Sequence, residues 1–442
     1  MAQGGAGEIQ PRRRLSANDH QAWPVSSLES GAMQNTANTA VPGPSEPLDT
    51  RALLEDPYAA YAKLREEGPV HRISGPDGRP AWLVTRYDDV RRALADPRLS
   101  LDKSNALPGN FRGFALPPAL DANLLNMDPP DHTRVRRLVA KAFTPGRVER
   151  MRERVRRAAE ELLDDVAPAG RADLIAAYAG PLPITVICDL LGVPQRDRRD
   201  FRAWSDALIA PDPARPHLAK EAVGAMLRFY TGLIASKRAE PSDDLLSDLI
   251  AVRDDDEGGS GGDRLTEDEL TSLAFLLLLA GYENVIHLIG NSVLALLDHP
   301  PLLRELRERP AGLAAAVEEF ARHDTPAPLA IRRFPLEDME IGGVTVPAGE
   351  TVLLSLASAN RDPARFREPD RLDPNNGRSG HLAFGHGIHY CLGAPLARLE
   401  VEVALAALLS RFPGLRLDVP RDRLRRRPSM RAHGLISLPV AW

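Results

Sequence analysis

The chain has 442 residues, with 56 basic and 61 acidic side chains that give a formal net charge of −5. This near balance argues against a protein that binds nucleic acid through overall positive charge, so we expect no nucleic-acid partner. Hydrophobic residues make up 43% and charged residues 26%, as in ordinary globular proteins, which excludes a wholly disordered chain. The two cysteines, Cys188 and Cys391, are too few for a disulfide framework and favour a reducing, cytoplasmic location.

No segment of the sequence predicts insertion into a membrane. The longest strongly apolar run, Leu273–Gly281, is far shorter than the roughly 20 residues of a membrane-spanning helix. Three arginines at positions 12–14 are not followed by an apolar segment, so we reject a twin-arginine export signal. We therefore expect a soluble protein without a membrane partner.

The N-terminal region differs in composition from the rest of the chain. Residues 1–47 are rich in Gly, Ala, Ser, Asn and Pro and lack apolar periodicity, which predicts a disordered tail followed by a single domain over residues 48–442. Short strands are predicted at Val70–Ile73 and Ala81–Thr85, around a Gly-Pro turn, and a helix at Tyr87–Ala95.

The pattern is nearly all helical from Pro130 to about Pro300. After Pro326 it changes to short strands, followed by one more helix from about Cys391 to Phe412. These features predict a mainly α fold with a small β-rich lobe. The predicted strands of the lobe are Met339–Ile341, Val344–Val346 and Thr351–Leu356.

Three irregular stretches stand outside this pattern. Residues 101–125 form a long loop of the kind that is often functional. The acidic, glycine-rich stretch 254–263 lacks the ligand spacing of a calcium loop and is interpreted as a solvated loop. The arginines of residues 421–427 are also interpreted as a solvated loop, because no aromatic residues alternate with them.

Cys391 lies in a glycine-rich segment, HLAFGHGIHYCLG, directly before a predicted helix. Backbone N–H groups of such a loop favour a thiolate, and glycines let the backbone approach a flat cofactor closely. One interpretation is therefore a haem thiolate, and a second is a buried structural cysteine. A third is zinc, because His381, His386 and His389 are near, although the paired ligands of a zinc finger are missing.

The same segment resembles the haem-binding motif of the cytochrome P450 family, in which a cysteine thiolate binds the haem iron. Gly385 lies inside the segment. The resemblance covers roughly residues 50 to 442 and implies a cytochrome P450 fold. It places haem b between a long central helix and the loop of Cys391, the axial iron ligand. The family pattern Phe-x-x-Gly-x-His/Arg-x-Cys-x-Gly is met by Phe384, Gly387, His389, Cys391 and Gly393.

A second family motif is the pair Glu319 and Arg322, which lie three residues apart and share one helix face. On its own the pair is weak evidence, because a surface salt bridge has the same spacing. In the P450 family the pair is buried and completed by an arginine from a later irregular segment, and Arg371 stands at that position. The resemblance implies that these three residues hold the haem-binding region in shape.

A third motif lies in the apolar segment LAFLLLLAGYENVIHLIG, which predicts a buried central helix. Close helix packing would explain Gly281, which costs about 1 kcal/mol of helix stability relative to Ala. The resemblance instead implies a local opening for O2, formed by Ala280, Gly281, Glu283 and Asn284. Glu283 fits the usual acid, but Asn284 replaces the usual Thr or Ser. We predict that Asn284 orients a water or a substrate hydroxyl; the alternative is a bond to the carbonyl one turn earlier.

Cationic side chains are expected at the two propionates of haem. His132 and Arg136 lie one helical turn apart, a spacing that suits a carboxylate or a phosphate. The resemblance implies that both bind propionate, together with Arg333, His381 and His389.

The implied activity is that of a monooxygenase that uses O2 and oxidises an apolar small molecule. The chain has no flavin or iron–sulfur motif, so electrons must come from a separate ferredoxin- or flavodoxin-type partner with its reductase. Arg134 and Arg398 are candidate docking residues for that partner.

The chain is most similar to soluble bacterial members of the family that modify polyketides, macrolides and other secondary metabolites, so we expect hydroxylation or epoxidation of such a scaffold. Oxidative aryl coupling is the alternative within the family, and a non-enzymatic haem or zinc protein is the alternative outside it. The family's substrate-contacting regions correspond to residues 101–125, 208–224, 326–331 and 430–434.

Overall fold

The computed structural model describes residues 50–110, 116–209, 215–254, 264–374, 376 and 380–442. The predicted tail, residues 1–47, lies outside the described residues, so its disorder stays a prediction. Most of the 254–263 stretch lies outside them as well.

The described residues are mainly helical, as the sequence predicts. The helix α3 has the predicted bounds. The α-helices are α1 (Arg51–Glu55), α2 (Pro57–Glu67), α3 (Tyr87–Ala95), α4 (Pro118–Asp121), α5 (Asp131–Ala142), α6 (Pro145–Val166), α7 (Pro181–Leu191), α8 (Arg198–Ile209), α9 (Pro216–Ala239), α10 (Leu245–Asp254), α11 (Glu267–Asp298), α12 (Pro300–Glu308), α13 (Leu313–His323), α14 (Leu356–Ala359) and α15 (Ala394–Arg411).

The strands of the described residues are short and form small sheets. Strands β6 and β7 have the predicted bounds, whereas β8 is shorter than predicted because its last residues turn into α14. The strands are β1 (Val70–Ser74), β2 (Pro80–Val84), β3 (Leu99–Ser100), β4 (Arg171–Asp173), β5 (Phe334–Pro335), β6 (Met339–Ile341), β7 (Val344–Val346), β8 (Val352–Leu354), β9 (Arg416–Leu417) and β10 (Pro439–Ala441).

The first sheet joins distant parts of the chain. Strands β1 and β2 form an antiparallel hairpin, and β8 pairs with β2 in parallel, with Trp82 opposite Val352. A second sheet has the order β4-β10-β9 and was not predicted. Strands of two or three residues carry almost no periodic signal, and their pairing depends on the fold around them.

Helix α11 runs through the hydrophobic core. It starts with a capping box, in which the Thr266 hydroxyl accepts from the Glu269 N–H and the Glu269 carboxylate accepts from the Thr266 N–H. Most of its side chains are buried against α4, α7 and α15. By length and composition α11 could cross a membrane, but a core helix of this kind passes the same test.

Part of the arginine-rich segment 421–427 is held by the fold, contrary to the solvated loop that the sequence predicted. The Arg426 guanidinium lies 2.7 Å from Asp324 and also donates to the Asn291 side chain on α11. Arg421 lies 3.1 Å from Asp298 at the end of the same helix. Both acidic partners are far away in sequence, so the local pattern contained no sign of these pairs.

Candidate haem site

Cys391 lies at the end of a tight loop directly before α15. Its backbone N–H donates to the Phe384 carbonyl over 2.9 Å, which closes the loop. Gly385 and Gly387 both have φ of 75°, a left-handed conformation that favours glycine, and a side chain at Gly387 would also crowd the backbone of α3. The loop therefore needs its glycines in order to place the cysteine.

The thiol of Cys391 lies in a recess that solvent reaches, whereas Cys188 is buried in the core. The protein around Cys391 raises the pKa of the thiol, and the Gly393 N–H and the Arg136 guanidinium act in the opposite direction. This confirms that the two cysteines differ in environment. Cys391 is available to a ligand, and Cys188 is a core residue.

Two guanidinium groups and two imidazoles meet beside this loop. The rings of His132 and His389 lie 4.0 Å apart between centroids, and both residues interact electrostatically with Arg136 and Arg333. Burial, together with these positive neighbours, lowers the pKa of His132 to about 4 and that of His389 to about 3. A cluster that holds its histidines neutral in this way suits an anionic ligand.

Several polar atoms of this cluster are buried without a hydrogen-bond partner. They include both ring nitrogens of His132 and the Nε atom of Arg333, in side chains that are almost completely buried. Buried donors without partners each cost roughly 1–3 kcal/mol, so native proteins seldom leave them unsatisfied. Arg136 donates to the Tyr390 carbonyl over 2.6 Å, which directs it to the same loop.

His381 was expected at the propionates, but the structure places it elsewhere. Its Nε2 atom lies 3.1 Å from the Glu318 carboxylate, and its Nδ1 atom accepts from the Ala383 N–H. Arg398 also binds Glu318. Burial raises the pKa of Glu318, but the hydrogen bonds from His381 and Arg398 outweigh this and lower it to about 2. His381 therefore connects α13 to the cysteine loop.

The structure does not test the expected docking role of Arg134 and Arg398, but it shows partners for both within the chain. Arg398 is paired with Glu318, and Arg134 binds Glu269 and the Arg264 carbonyl at the start of α11. Both guanidinium groups are engaged inside the chain, where they connect neighbouring helices. Their charges are therefore partly neutralised before any partner arrives.

The Glu319–Arg322 pair is buried, as predicted. Two hydrogen bonds of 2.7 Å join the side chains, and both are fully shielded from solvent. Arg322 also donates to the carbonyls of Asn360 and Pro369, and the Asp373 N–H donates to Glu319. The pair thereby fixes the irregular segment that precedes the cysteine loop.

Arg371 does not complete this pair with its side chain, contrary to the prediction. Its guanidinium is 67% exposed and lies 3.5 Å from Glu368 at the surface. Arg322 instead donates to the Arg371 backbone carbonyl over 3.2 Å. Backbone carbonyls of the segment already satisfy the buried guanidinium, so a second buried cation would lack a counter-ion.

One face of α11 is open in the middle of the helix. Ala280 and Asn284 are exposed, although most residues around them on α11 are buried. Glu283 is 28% exposed at the edge of the same region. We call the space beside Ala280 and Asn284 the distal cavity. An exposed patch on an otherwise buried helix marks a space that a ligand can fill.

The predicted local opening of α11 is not present, because the helix continues without interruption through these residues. Gly281 faces α7, where a Cβ atom would lie 3.4 Å from the Ile187 side chain, which is an ordinary contact, so packing alone does not require a glycine here. The Asn284 amide donates to the Ala280 carbonyl over 3.4 Å. That is the bond one turn earlier that the sequence analysis gave as the alternative.

These observations agree with the requirements of haem. An accessible thiol, an adjacent cluster of unsatisfied cationic donors and an open helix face are the features that an iron porphyrin with two propionates would occupy. Among the described residues no group of three or more His, Cys, Asp or Glu side chains is arranged to hold a metal ion. The zinc interpretation therefore has no support in this part of the chain.

Comparisons with known proteins agree with this site. The family model "Cytochrome P450" matches residues 312–435. The chain is 48% identical to "Cytochrome P450 monooxygenase PikC" of Streptomyces venezuelae, covering 88% of this chain and 91% of that protein. It is 44% identical to "Mycinamicin IV hydroxylase/epoxidase" of Micromonospora griseorubida, covering 86% and 94%.

The fold is shared with a solved structure, the ligand-free P450 monooxygenase TamI. The TM-score is 0.80 at 44% sequence identity, and the match covers 90% of this chain and 94% of that one. The chain therefore belongs to the cytochrome P450 family. It is a haem b monooxygenase that takes electrons from a redox partner and uses O2 on a small molecule.

Two residues beyond those predicted from the sequence lie in the site region. Glu318 connects His381 and Arg398, and His287 lies 3.6 Å from Glu283 on α11. The proximity of Glu283 and His287 could have been predicted from the sequence, because residues four apart share a helix face. The Glu318 contacts were not, since they join segments separated by more than 60 residues.

Proposed function

We propose that this monooxygenase hydroxylates or epoxidises a natural-product scaffold of the polyketide or macrolide type. The observation that carries this proposal is the similarity along 86% of the chain to an enzyme whose name describes hydroxylation and epoxidation of a macrolide. Helix α11 also carries three half-buried leucines, Leu276, Leu277 and Leu279. These apolar side chains are compatible with an apolar substrate beside this helix.

The overall hydroxylation is R–H + O2 + 2 H⁺ + 2 e⁻ → R–OH + H2O. Haem supplies the chemistry of O2 activation when it is bound, and the thiolate of Cys391 would hold its iron. Phe384, Gly385 and Gly393 would shape the loop around that ligand. His132, Arg136, Arg333 and His389 would bind the propionates, and Glu319 and Arg322 would hold the loop in place.

The two protons must reach the distal cavity from solvent. Ala280 and Asn284 border this space, and Gly281 faces α7 beside the Ile187 side chain. We assign to Asn284 the orientation of a water or a substrate hydroxyl, which an amide can do as donor and acceptor. Glu283 is the titratable group next to Asn284, and its partial exposure gives it access to solvent protons.

Two of the four expected substrate regions lie together. The His433 N–H donates to the Pro326 carbonyl over 2.8 Å, which joins residues 326–331 to residues 430–434. Ile331 has a 37% exposed side chain in the first of these segments. The other two regions are only partly described, because residues 111–115 and 210–214 are outside the description.

The electron donor is proposed to be a ferredoxin or flavodoxin-type protein that docks on the cysteine side of the molecule. A groove of about 630 Å³ lies on that side. It is lined by parts of the cysteine loop, by Arg91, Arg365 and Arg398, and by the acidic Asp88 and Glu318. Basic side chains around an iron ligand loop suit an acidic redox protein. The location in the cell would be the cytoplasm, where such donors are found.

The proposed function is tested with the purified haem protein. A set of macrolides that includes mycinamicin IV is titrated while the Soret band is followed, and bound compounds are then incubated with NADPH, a ferredoxin and its reductase. A product that gains one oxygen atom from ¹⁸O2 supports hydroxylation or epoxidation. A product that loses two hydrogen atoms without gaining oxygen supports aryl coupling instead, and absence of a haem spectrum would contradict both.

A further inference from the structure

A buried histidine on α11 has no role in the function described so far. His287 is 2% exposed, and neither of its ring nitrogens has a hydrogen-bond partner. It lies one helical turn after Glu283, and the Glu283 Oε1 atom is 3.6 Å from the His287 Nε2 atom. This distance is within ion-pair range but longer than a hydrogen bond.

The unsatisfied ring points to a hydrogen bond that forms when Glu283 moves. Two buried nitrogens without partners are unfavourable, so the ring gains from any acceptor it can reach. Among the described residues, the Glu283 carboxylate is the acidic group within 4 Å of it. Because Glu283 is partly exposed, its side chain has room to rotate toward Nε2.

The other side of the ring is fixed by the C-terminal loop. Gly434 packs directly on His287, and a Cβ atom at this position would overlap the Nδ1 atom. Gly434 belongs to the 430–434 segment, one of the two joined regions that we expect to contact substrate. The ring is therefore held between this loop and the carboxylate of Glu283.

We propose that His287 is a positioning residue for the monooxygenase reaction. Its Nε2–H holds the Glu283 carboxylate at the edge of the distal cavity, where Glu283 passes protons to the water or hydroxyl that Asn284 orients. Each proton that leaves Glu283 is replaced from solvent at its exposed edge. This inference rests on the proposed function. It explains how the helix works without the hydroxyl that position 284 lacks.

The first test measures the hydrogen bond itself and needs no substrate. Protein with ¹⁵N-labelled histidine is studied by NMR as the diamagnetic carbon monoxide complex of the reduced haem protein. The His287 signals are assigned by their loss in His287→Gln. In Glu283→Gln, the ¹⁵N shift of Nε2 should move while the other ten histidines stay largely in place. An unchanged Nε2 shift would overturn the proposal.

The second test measures what the pair does during turnover. With NADPH, a ferredoxin, its reductase and mycinamicin IV, His287→Leu should release several-fold more H2O2 per NADPH than the parent, because O2 + 2 H⁺ + 2 e⁻ → H2O2 replaces product formation. His287→Gln keeps an N–H donor and should recover most of the coupling. His299→Gln, at the exposed end of the same helix, is the matched control.

The outcomes separate this inference from the proposed function. Should Glu283→Gln and His287→Leu each raise peroxide release, and their combination add nothing further, the two residues act as one unit. Gly434→Ala should show the same effect, since it displaces the ring. If His287→Leu lowers only the melting temperature and leaves both coupling and the Glu283-dependent shift unchanged, the residue is merely structural. A protein that binds haem but does not oxidise the macrolide contradicts the substrate, while the NMR test still decides on His287.

Discussion

The imidazole rings of His132 and His389 lie 4.0 Å apart, although one belongs to α5 and the other to the cysteine loop. Each ring has a depressed pKa, because both are buried beside Arg136 and Arg333. His132 and Arg333 are buried, His389 and Arg136 are half-buried, and Asp128 is the acidic neighbour of the two buried groups. This excess of basic groups favours a further anion. This relationship is the strongest structural argument that the propionates of haem bind here, and it leads to two predictions.

Removal of one buried cation should weaken haem binding. Arg333→Ala leaves a propionate underpaired, at a cost of roughly 2–5 kcal/mol if the pair is fully buried, so haem should be lost more quickly. The measurement is the rate of haem transfer to apomyoglobin, compared with Arg137→Ala, an exposed position on α5. Equal rates in both variants would show that Arg333 does not bind a propionate.

Haem binding should also depend on pH in a defined direction. The pKa values of His132 and His389, about 4 and about 3 without an anion, should rise beside the propionates, so haem binding takes up protons. Haem should therefore dissociate more slowly at about pH 6 than at about pH 8. The folding stability of the chain without haem should show the opposite trend and fall as the pH drops from 6.5 through 4. The reason is that the histidines bind protons more readily in the unfolded chain, where their pKa is no longer lowered. His132→Gln should reduce the pH dependence of haem release, and an unaltered profile would contradict the assignment.

Cys391 should be the ligand that sets the spectrum. The carbon monoxide complex of the reduced protein should have the strongly red-shifted Soret band of a thiolate ligand, and Cys391→Ala should abolish it. Cys188→Ala is the matched control, because that thiol is buried in the core and burial raises its pKa to about 12. A red-shifted band that survives in Cys391→Ala would exclude this cysteine as ligand.

The buried pair on α13 should matter for folding, whereas Arg371 should not. Arg322→Ala leaves the Glu319 carboxylate buried without its partner, which typically costs 3–5 kcal/mol, so a large fall in melting temperature and haem content is expected. Arg371→Ala removes an exposed guanidinium and should change stability by less than about 0.5 kcal/mol. Thermal unfolding of the two variants compares them directly, and a large loss in Arg371→Ala would restore the predicted side-chain role.

The sequence was sufficient for features that depend on local pattern. The cysteine motif and the bounds of α3 follow from the pattern along one segment, and the burial of the Glu319–Arg322 pair follows from the family resemblance. The sequence pattern was misleading where a side chain can bind any of several partners that are distant in the sequence. His381 binds Glu318, and Arg371 points to the surface, because burial and competing hydrogen bonds decide such contacts only after the chain has folded. The short strands β3, β4, β5, β9 and β10 were missed for the same reason.

Asn284 gives the last prediction, because its hydrogen bond to the Ala280 carbonyl leaves two interpretations. A contact of 3.4 Å is weak, so the amide can exchange it for a water or a substrate hydroxyl in the distal cavity. If it does so, Asn284→Ala should lower product formed per NADPH consumed and raise H2O2 release, with haem content unchanged. The paired variant Asn284→Thr restores a hydroxyl and should recover coupling. Peroxide yields measured side by side decide the matter, since a residue that only bonds its own helix would leave coupling unaltered in both variants.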